Sequence, residues 1–204
     1  MSQTTRDTKL LQYLNEAYAK ERELETALQA HLGMTTKKAY AKRLRDHLSE
    51  TKGHGRQLER RIKAISGQAP AAVQSIVGQA VGQAKSLAKG PLHAVRGTGE
   101  AEKMLKNAKT EYFNEHEEIA TYSAIETLAD SLDDSETAKM ARSIRREEER
   151  MARFLAAQIP QLTKAVIREE VPAAERRRRT KRRRPSSRSR SRSSHGARRR
   201  RTAH

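Results

Sequence analysis

Apolar residues recur along much of this chain at spacings of three and four, the period of helices that bury one stripe. In residues 14–28 they fall at Leu14, Ala17, Tyr18, Leu24, Ala27 and Leu28, which predicts a helix over residues 8–32. Asp7 or Thr8 is the expected cap and Gly33 the stop. A second helix is expected after Thr35 or Thr36, carrying Leu44, Leu48, Thr51, Leu58, Ile62 and Ile65 up to Ser66 and Gly67. Residues 70–89 keep helical spacing through Val73, Ile76, Val77, Ala80, Val81, Ala84 and Leu87, and predict a crossover helix. A third long helix should start near Gly99, with acidic Glu100 and Glu102 in its first turn, and end around Ser131. A fourth should start at Asp134 or Ser135 and run to Ile159, where Pro160 should end or kink it.

The plan is hairpin, crossover, hairpin. That is an all-α four-helix bundle with one long connection, the ferritin-like topology.

Several glutamates interrupt the apolar stripes. At 100° per residue, Glu21 lies about 20° from Leu14 and Leu28, where a leucine would be expected. In the third helix Ala108, Tyr112, Ile119 and Tyr122 define the face, with Glu115 about 40° from Ile119 and Glu118 at the edge. In the fourth, Glu147 and Glu148 straddle the gap between Ile144 and Met151, so one of them must point inward. The second helix offers His47, Glu50 and His54, of which Glu50 and His54 can project side by side one turn apart. No lysine or arginine is evident on these faces. Buried, unpaired carboxylates cost several kcal/mol each, so they must be protonated, paired with a base, or gathered round a cation. Carboxylate oxygen with neutral imidazole suits iron or manganese. The competing reading is that helix-favouring glutamates graze the apolar face with their heads in water.

The segments LNEAYAKERELETAL, HLSETKGHGRQLE, KNAKTEYFNEHEEIATYSAIETLA and IRREEERMARFL resemble the four helix motifs of the YciE/YciF-like ferritin-like proteins, a bacterial group associated with stress responses. The resemblance covers residues 8–161 and is most specific in H-L-x-E-T-x-x-H of the second helix and E-x-I-A-x-Y of the third. It implies a bundle that dimerises and holds a two-metal carboxylate site. Glu21, the pair Glu50 and His54, the pair Glu115 and Glu118, and Glu147 or Glu148 match the family's positions. Where ferroxidase-type bundles carry Glu-x-x-His on the fourth helix, this chain has Met151 three residues after Glu148.

Charge alters the picture at one end. The chain has 204 residues, 43 Lys and Arg against 25 Asp and Glu, and a net charge of +18. Fifteen of those bases lie in residues 173–204: Arg176, Arg177, Arg178, Arg179, Lys181, Arg182, Arg183, Arg184, Arg188, Arg190, Arg192, Arg198, Arg199, Arg200 and Arg201. The chain therefore divides into a helical bundle, residues 1–170, and a basic tail, residues 171–204, expected to be disordered because like charges repel and nothing apolar is available to bury. Such a tail suits nucleic acid, through phosphate neutralisation rather than base reading. No aromatic residue is interleaved for stacking on single strands. Membrane surfaces, localisation and phosphorylation within residues 187–194 are the competing uses.

The absence of cysteine excludes disulfides and thiolate chemistry, and no stretch is apolar enough to span a bilayer. The expected setting is the cytoplasm, on the nucleoid if the tail holds DNA. Three function classes follow: a metal-handling stress protein tethered to nucleic acid, an architectural nucleic-acid-binding protein with a metal-free dimerisation scaffold, and an oxidase or peroxidase.

Overall fold

The computed structural model describes residues 4–68, 70 and 99–176. Its regular structure is helical: α1 (Thr5–Gly33), α2 (Lys38–Ser66), α3 (Glu100–Ser131), α4 (Ser135–Glu170) and a single turn, α5 (Ala173–Arg176). Residues 71–89 of the expected crossover helix and the tail beyond Arg176 lie outside the described residues.

Helix ends follow local chemistry, with two departures from the sequence pattern. α1 begins three residues early because Thr4, not Asp7 or Thr8, is the cap. The Thr4 hydroxyl accepts from the Asp7 amide at 3.1 Å while the Asp7 carboxylate accepts from the Thr4 amide at 3.2 Å. α2 stops as expected at Gly67, whose φ of 73° is the left-handed closing turn that glycine adopts without strain. α4 runs through Pro160 rather than ending before it. Proline removes the bond to the carbonyl of Ala156 and crowds it, but both residues are exposed, so that carbonyl is left open to solvent rather than buried unpaired. Beyond it Leu162 and Ala165 are buried, which holds the last turns on the bundle.

α1 packs along α2 and α3 along α4, with further contacts of α1 on α3 and α2 on α4. The core falls into two apolar clusters. One joins Leu10, Leu11 and Leu14 of early α1 to Leu58 and Ile62 of late α2, Tyr122 and Ile125 of late α3, and Ala141 and Ile144 of early α4. The other joins Leu28, Tyr40, Leu44, Met104, Ala108, Met151, Leu155 and Leu162, the opposite ends of the same helices. Each hairpin is therefore antiparallel, while α2 and α3 run parallel: α2 ends at one end of the bundle and α3 starts at the other. Each fully buried leucine or isoleucine contributes roughly 1.5–3 kcal/mol. Arg61 of α2 ties the start of α4, donating to both Asp134 oxygens at 2.7 Å and to the Thr137 hydroxyl at 2.6 Å. Between the two clusters the interior is polar. Among the described residues no helix is long and apolar enough to cross a membrane.

Candidate metal centre

The polar layer is built from the middle of each long helix, two turns of α2 and one turn or less of the others. α1 supplies Glu21, α2 supplies His47, Thr51 and His54, α3 supplies Glu115 and Glu118, and α4 supplies Glu148, all 2% exposed or less. Of the carboxylates expected from sequence, Glu21, Glu115, Glu118 and Glu148 converge in this layer. Glu148 is the inward member of its pair. Glu118 was expected at the edge of the α3 face, yet it lies inside and Ile119 is only half-buried. The stripe that α3 buries is polar over its middle turns, through Glu111, Asn114, Glu115 and Glu118, so apolar spacing marks that face only weakly.

Glu50 and Glu147 sit differently. Both are half-buried at the rim, and each touches an imidazole from outside: Glu50 Oε2 is 3.1 Å from His47 Nδ1, and Glu147 Oε2 is 2.8 Å from His54 Nε2. Arg43 holds Glu50 at 2.9 Å. The inner nitrogens face the core. His54 Nδ1 lies 2.9 Å from Glu148 Oε1 and 3.3 Å from Glu21 Oε1; His47 Nε2 lies 3.1 Å from Glu115 Oε1 and 3.6 Å from Glu148 Oε2. Two three-donor groups result, Glu21 with His54 and Glu148, and His47 with Glu115 and Glu148, each with its ligand atoms within 4.8 Å of one another. Glu148 belongs to both. Glu118 stands outside the two groups but within electrostatic reach of Glu21, Glu148 and Glu115.

Hydrogen bonding does not satisfy the layer. Glu21 Oε2, Glu115 Oε2, Glu118 Oε1, both oxygens of Glu148 and His54 Nδ1 are buried without a hydrogen-bond partner. Tyr122 donates to Glu21 Oε1, which fixes the carboxyl with its other oxygen free. Burial raises the pKa of Glu21 and lifts Glu118 well above the carboxylate range; in both, neighbouring carboxylates add to the rise. Burial likewise raises Glu115 to about 8, against the pull of His47. Burial alone would lower both imidazoles, but the facing carboxylates outweigh it and hold His47 at about 10 and His54 at about 11. For Glu148, burial pushes up and the two imidazoles win, keeping it below the usual range. Without a metal the layer is thus balanced by imidazolium and by retained carboxyl protons.

Sequence reasoning missed His47 as an inward group. Its signal was the seven-residue step to His54, two turns on one face. Lys20 was also missed: its ammonium is buried and pairs with Glu117 at 2.7 Å, adding a base the face pattern did not show. A neighbouring buried group, Glu111, accepts from Tyr40 Oη at 2.6 Å and contacts His31 Nδ1 at 2.8 Å. Of the tail bases, Arg176 lies in α5 and is exposed; Arg177 to Arg201 lie outside the described residues.

The family described as Domain of unknown function (DUF892) matches residues 5–168. Among solved structures, a protein from Xanthomonas campestris pv. campestris is similar at 22% identity and a TM-score of 0.64, covering 81% of this chain and 99% of that one. YcfI from Rhodopseudomonas palustris is similar at 22% identity and a TM-score of 0.57, covering 75% and 94%. The E. coli stress protein YciF is similar at 20% identity and a TM-score of 0.56, covering 79% and 98%. No functionally curated protein matches the chain.

Proposed function

The chain belongs to the DUF892 family, and from that premise we propose that it is a ferritin-like metal-binding bundle acting in stress protection and tethered to nucleic acid by its basic tail. The observation that carries the metal reading is the set of carboxylate oxygens buried between two apolar clusters without hydrogen-bond partners. Oxygens left so cost about 1–3 kcal/mol each, more when charged, unless a further partner is supplied. A divalent cation is such a partner.

Glu21, His54, Glu148, His47 and Glu115 are the ligand set, with Glu148 shared between the two groups. Glu118 faces the same space as an additional carboxylate. Glu50 and Glu147 act one step out, accepting from the outer imidazole nitrogens so that the inner nitrogens present their lone pairs to the core. Both imidazoles come from α2, which replaces the histidine that α4 lacks at Met151. Hard oxygen donors with imidazole favour iron or manganese. Such an ion, when bound, supplies redox or Lewis-acid chemistry. What the chain itself does is hold the donors dry, fix Glu21 through Tyr122, and release protons from His47, His54 and Glu115 as the ion enters.

That YciF is a stress protein supports the stress assignment. The tail reading rests on the fifteen bases and their phosphate-neutralising chemistry. Titration of the metal-free full-length protein with Mn(II), followed by the loss of the free-ion resonance, tests the core. Stoichiometric binding that Glu148→Leu abolishes is the expected result; a wild-type chain that takes up no Mn(II) or Fe(II) overturns the proposal.

A further inference from the structure

Midway along the first hairpin, α1 and α2 stand apart and leave a cavity of about 170 Å³ open to the surface. Tyr18, Glu21 and Glu25 of α1 and Thr51, Gly55 and Glu59 of α2 are among its walls. Its volume is that of several waters. Glu21, 1% exposed and with Oε2 unpartnered, is its innermost carboxylate.

We infer that this cavity is the passage by which a hydrated divalent cation reaches the core, held open by Gly55 and stepped by the carboxylates of Glu59, Glu25 and Glu21. The inference rests on the metal-binding reading of the core. Two observations carry it independently of that core's chemistry. First, Gly55 sits inside α2, where glycine weakens a helix relative to alanine, and no packing demands it: a Cβ there would meet no described atom within 4 Å. A side chain at 55 would stand in the passage. Second, the acidic groups descend in order of burial. Glu59 is exposed, Glu25 half-buried one helical turn from Glu21, and Glu21 buried. Glu25 is held by two solvent-exposed bases, Arg22 Nη1 at 2.5 Å and Lys52 Nζ at 3.7 Å, whose side chains are 59% and 40% exposed. Exposed pairs of this kind are weak, so an arriving cation displaces the bases from Glu25 at little cost.

Rapid mixing of the metal-free full-length protein with Mn(II), read as the time course of free-ion loss, tests this. Gly55→Leu should slow uptake at least tenfold while leaving the final amount bound unchanged, and Gly55→Ala should fall between it and the wild type. Glu25→Gln, at a half-buried position outside the ligand set, should slow uptake several-fold with the same endpoint, and it decides the matter if Gly55→Leu does not fold. Wild-type rates in Gly55→Leu, or in Glu25→Gln where the leucine variant is unfolded, overturn the passage while leaving the metal site standing. No uptake by the wild type instead removes the metal site and the passage together.

Discussion

His54 Nδ1 lies 2.9 Å from Glu148 Oε1, yet off the line of a hydrogen bond, and both atoms are buried. Close approach without bonding geometry is the arrangement of two groups aimed at a shared third partner. Without that partner the two act as an ion pair of high local cost.

The first prediction follows from that pair. In the metal-free protein, His54→Gln leaves Glu21 and Glu148 facing each other without their counter-charge, and should destabilise the fold by about 3–5 kcal/mol. Adding Glu148→Gln should recover part of the loss, with a coupling of about 1–3 kcal/mol in a double-mutant cycle read by denaturant unfolding. Additive effects would mean that the two groups do not act on each other.

Stability should also depend on pH with a definite sign. His47 and His54 hold their protons up to about 10 and about 11 in the fold, against 6.5 for a free imidazole, and Glu115 up to about 8, against 4.5. The imidazolium contribution is complete below pH 6.5 and is lost as pH rises through the folded values; that of Glu115 is lost between 4.5 and 8. Between about pH 6 and 9 the folded chain binds more protons than the unfolded one, so the metal-free melting temperature should fall as pH rises. Excess Mn(II) should reverse the slope, because its ligands must first shed protons. Melting curves at the two pH values, with and without Mn(II), check both signs.

Arg61 joins the hairpins through Asp134 and Thr137, and Asp134 also caps α4 by accepting from the Thr137 amide at 3.1 Å. Burial would raise the Asp134 pKa, but Arg61 and Thr137 overcome it and hold it below the usual range. Arg61→Ala should cost about 1–2 kcal/mol, since one partner of a partly buried, hydrogen-bonded charge is left alone. Metal uptake, set at the bundle's middle, should be unchanged in that variant.

The tail should bind duplex DNA in a strongly salt-dependent way. If about 6 to 10 phosphates are neutralised, affinity should fall roughly a thousandfold or more between about 50 and 200 mM salt. Equal DNA binding by a chain ending at Glu170 would contradict this.

Much of this was legible in sequence, for reasons that differ by helix. α2 and α4 carry clear apolar stripes, so their faces could be read from spacing, and with them that one of Glu147 and Glu148 turns inward, though not which. α1 and α3 are weakly amphipathic because their buried stripes carry the acids themselves. Glu21 was found only because leucines flank it a heptad away on both sides, whereas Glu118, beside Ile119 and Tyr122, was placed at the wrong depth. Which side of an imidazole a carboxylate takes is a matter of helix rotation and rotamer, so Glu50 and Glu147 could not be told from inner groups. Pro160 does not end α4 because the carbonyl it leaves unpaired belongs to an exposed residue while Leu162 and Ala165 beyond it are buried, a balance that spacing alone does not show.

The central claim is that the buried acids of four helices share a cation. Elemental analysis of full-length protein grown with iron and manganese, comparing the wild type with the double variant Glu21→Leu, Glu115→Leu, tests it most directly. The account predicts stoichiometric metal in the wild type and none in the variant. Metal-free wild type, together with a variant that melts at a higher temperature because leucine has replaced uncompensated acids, would contradict it.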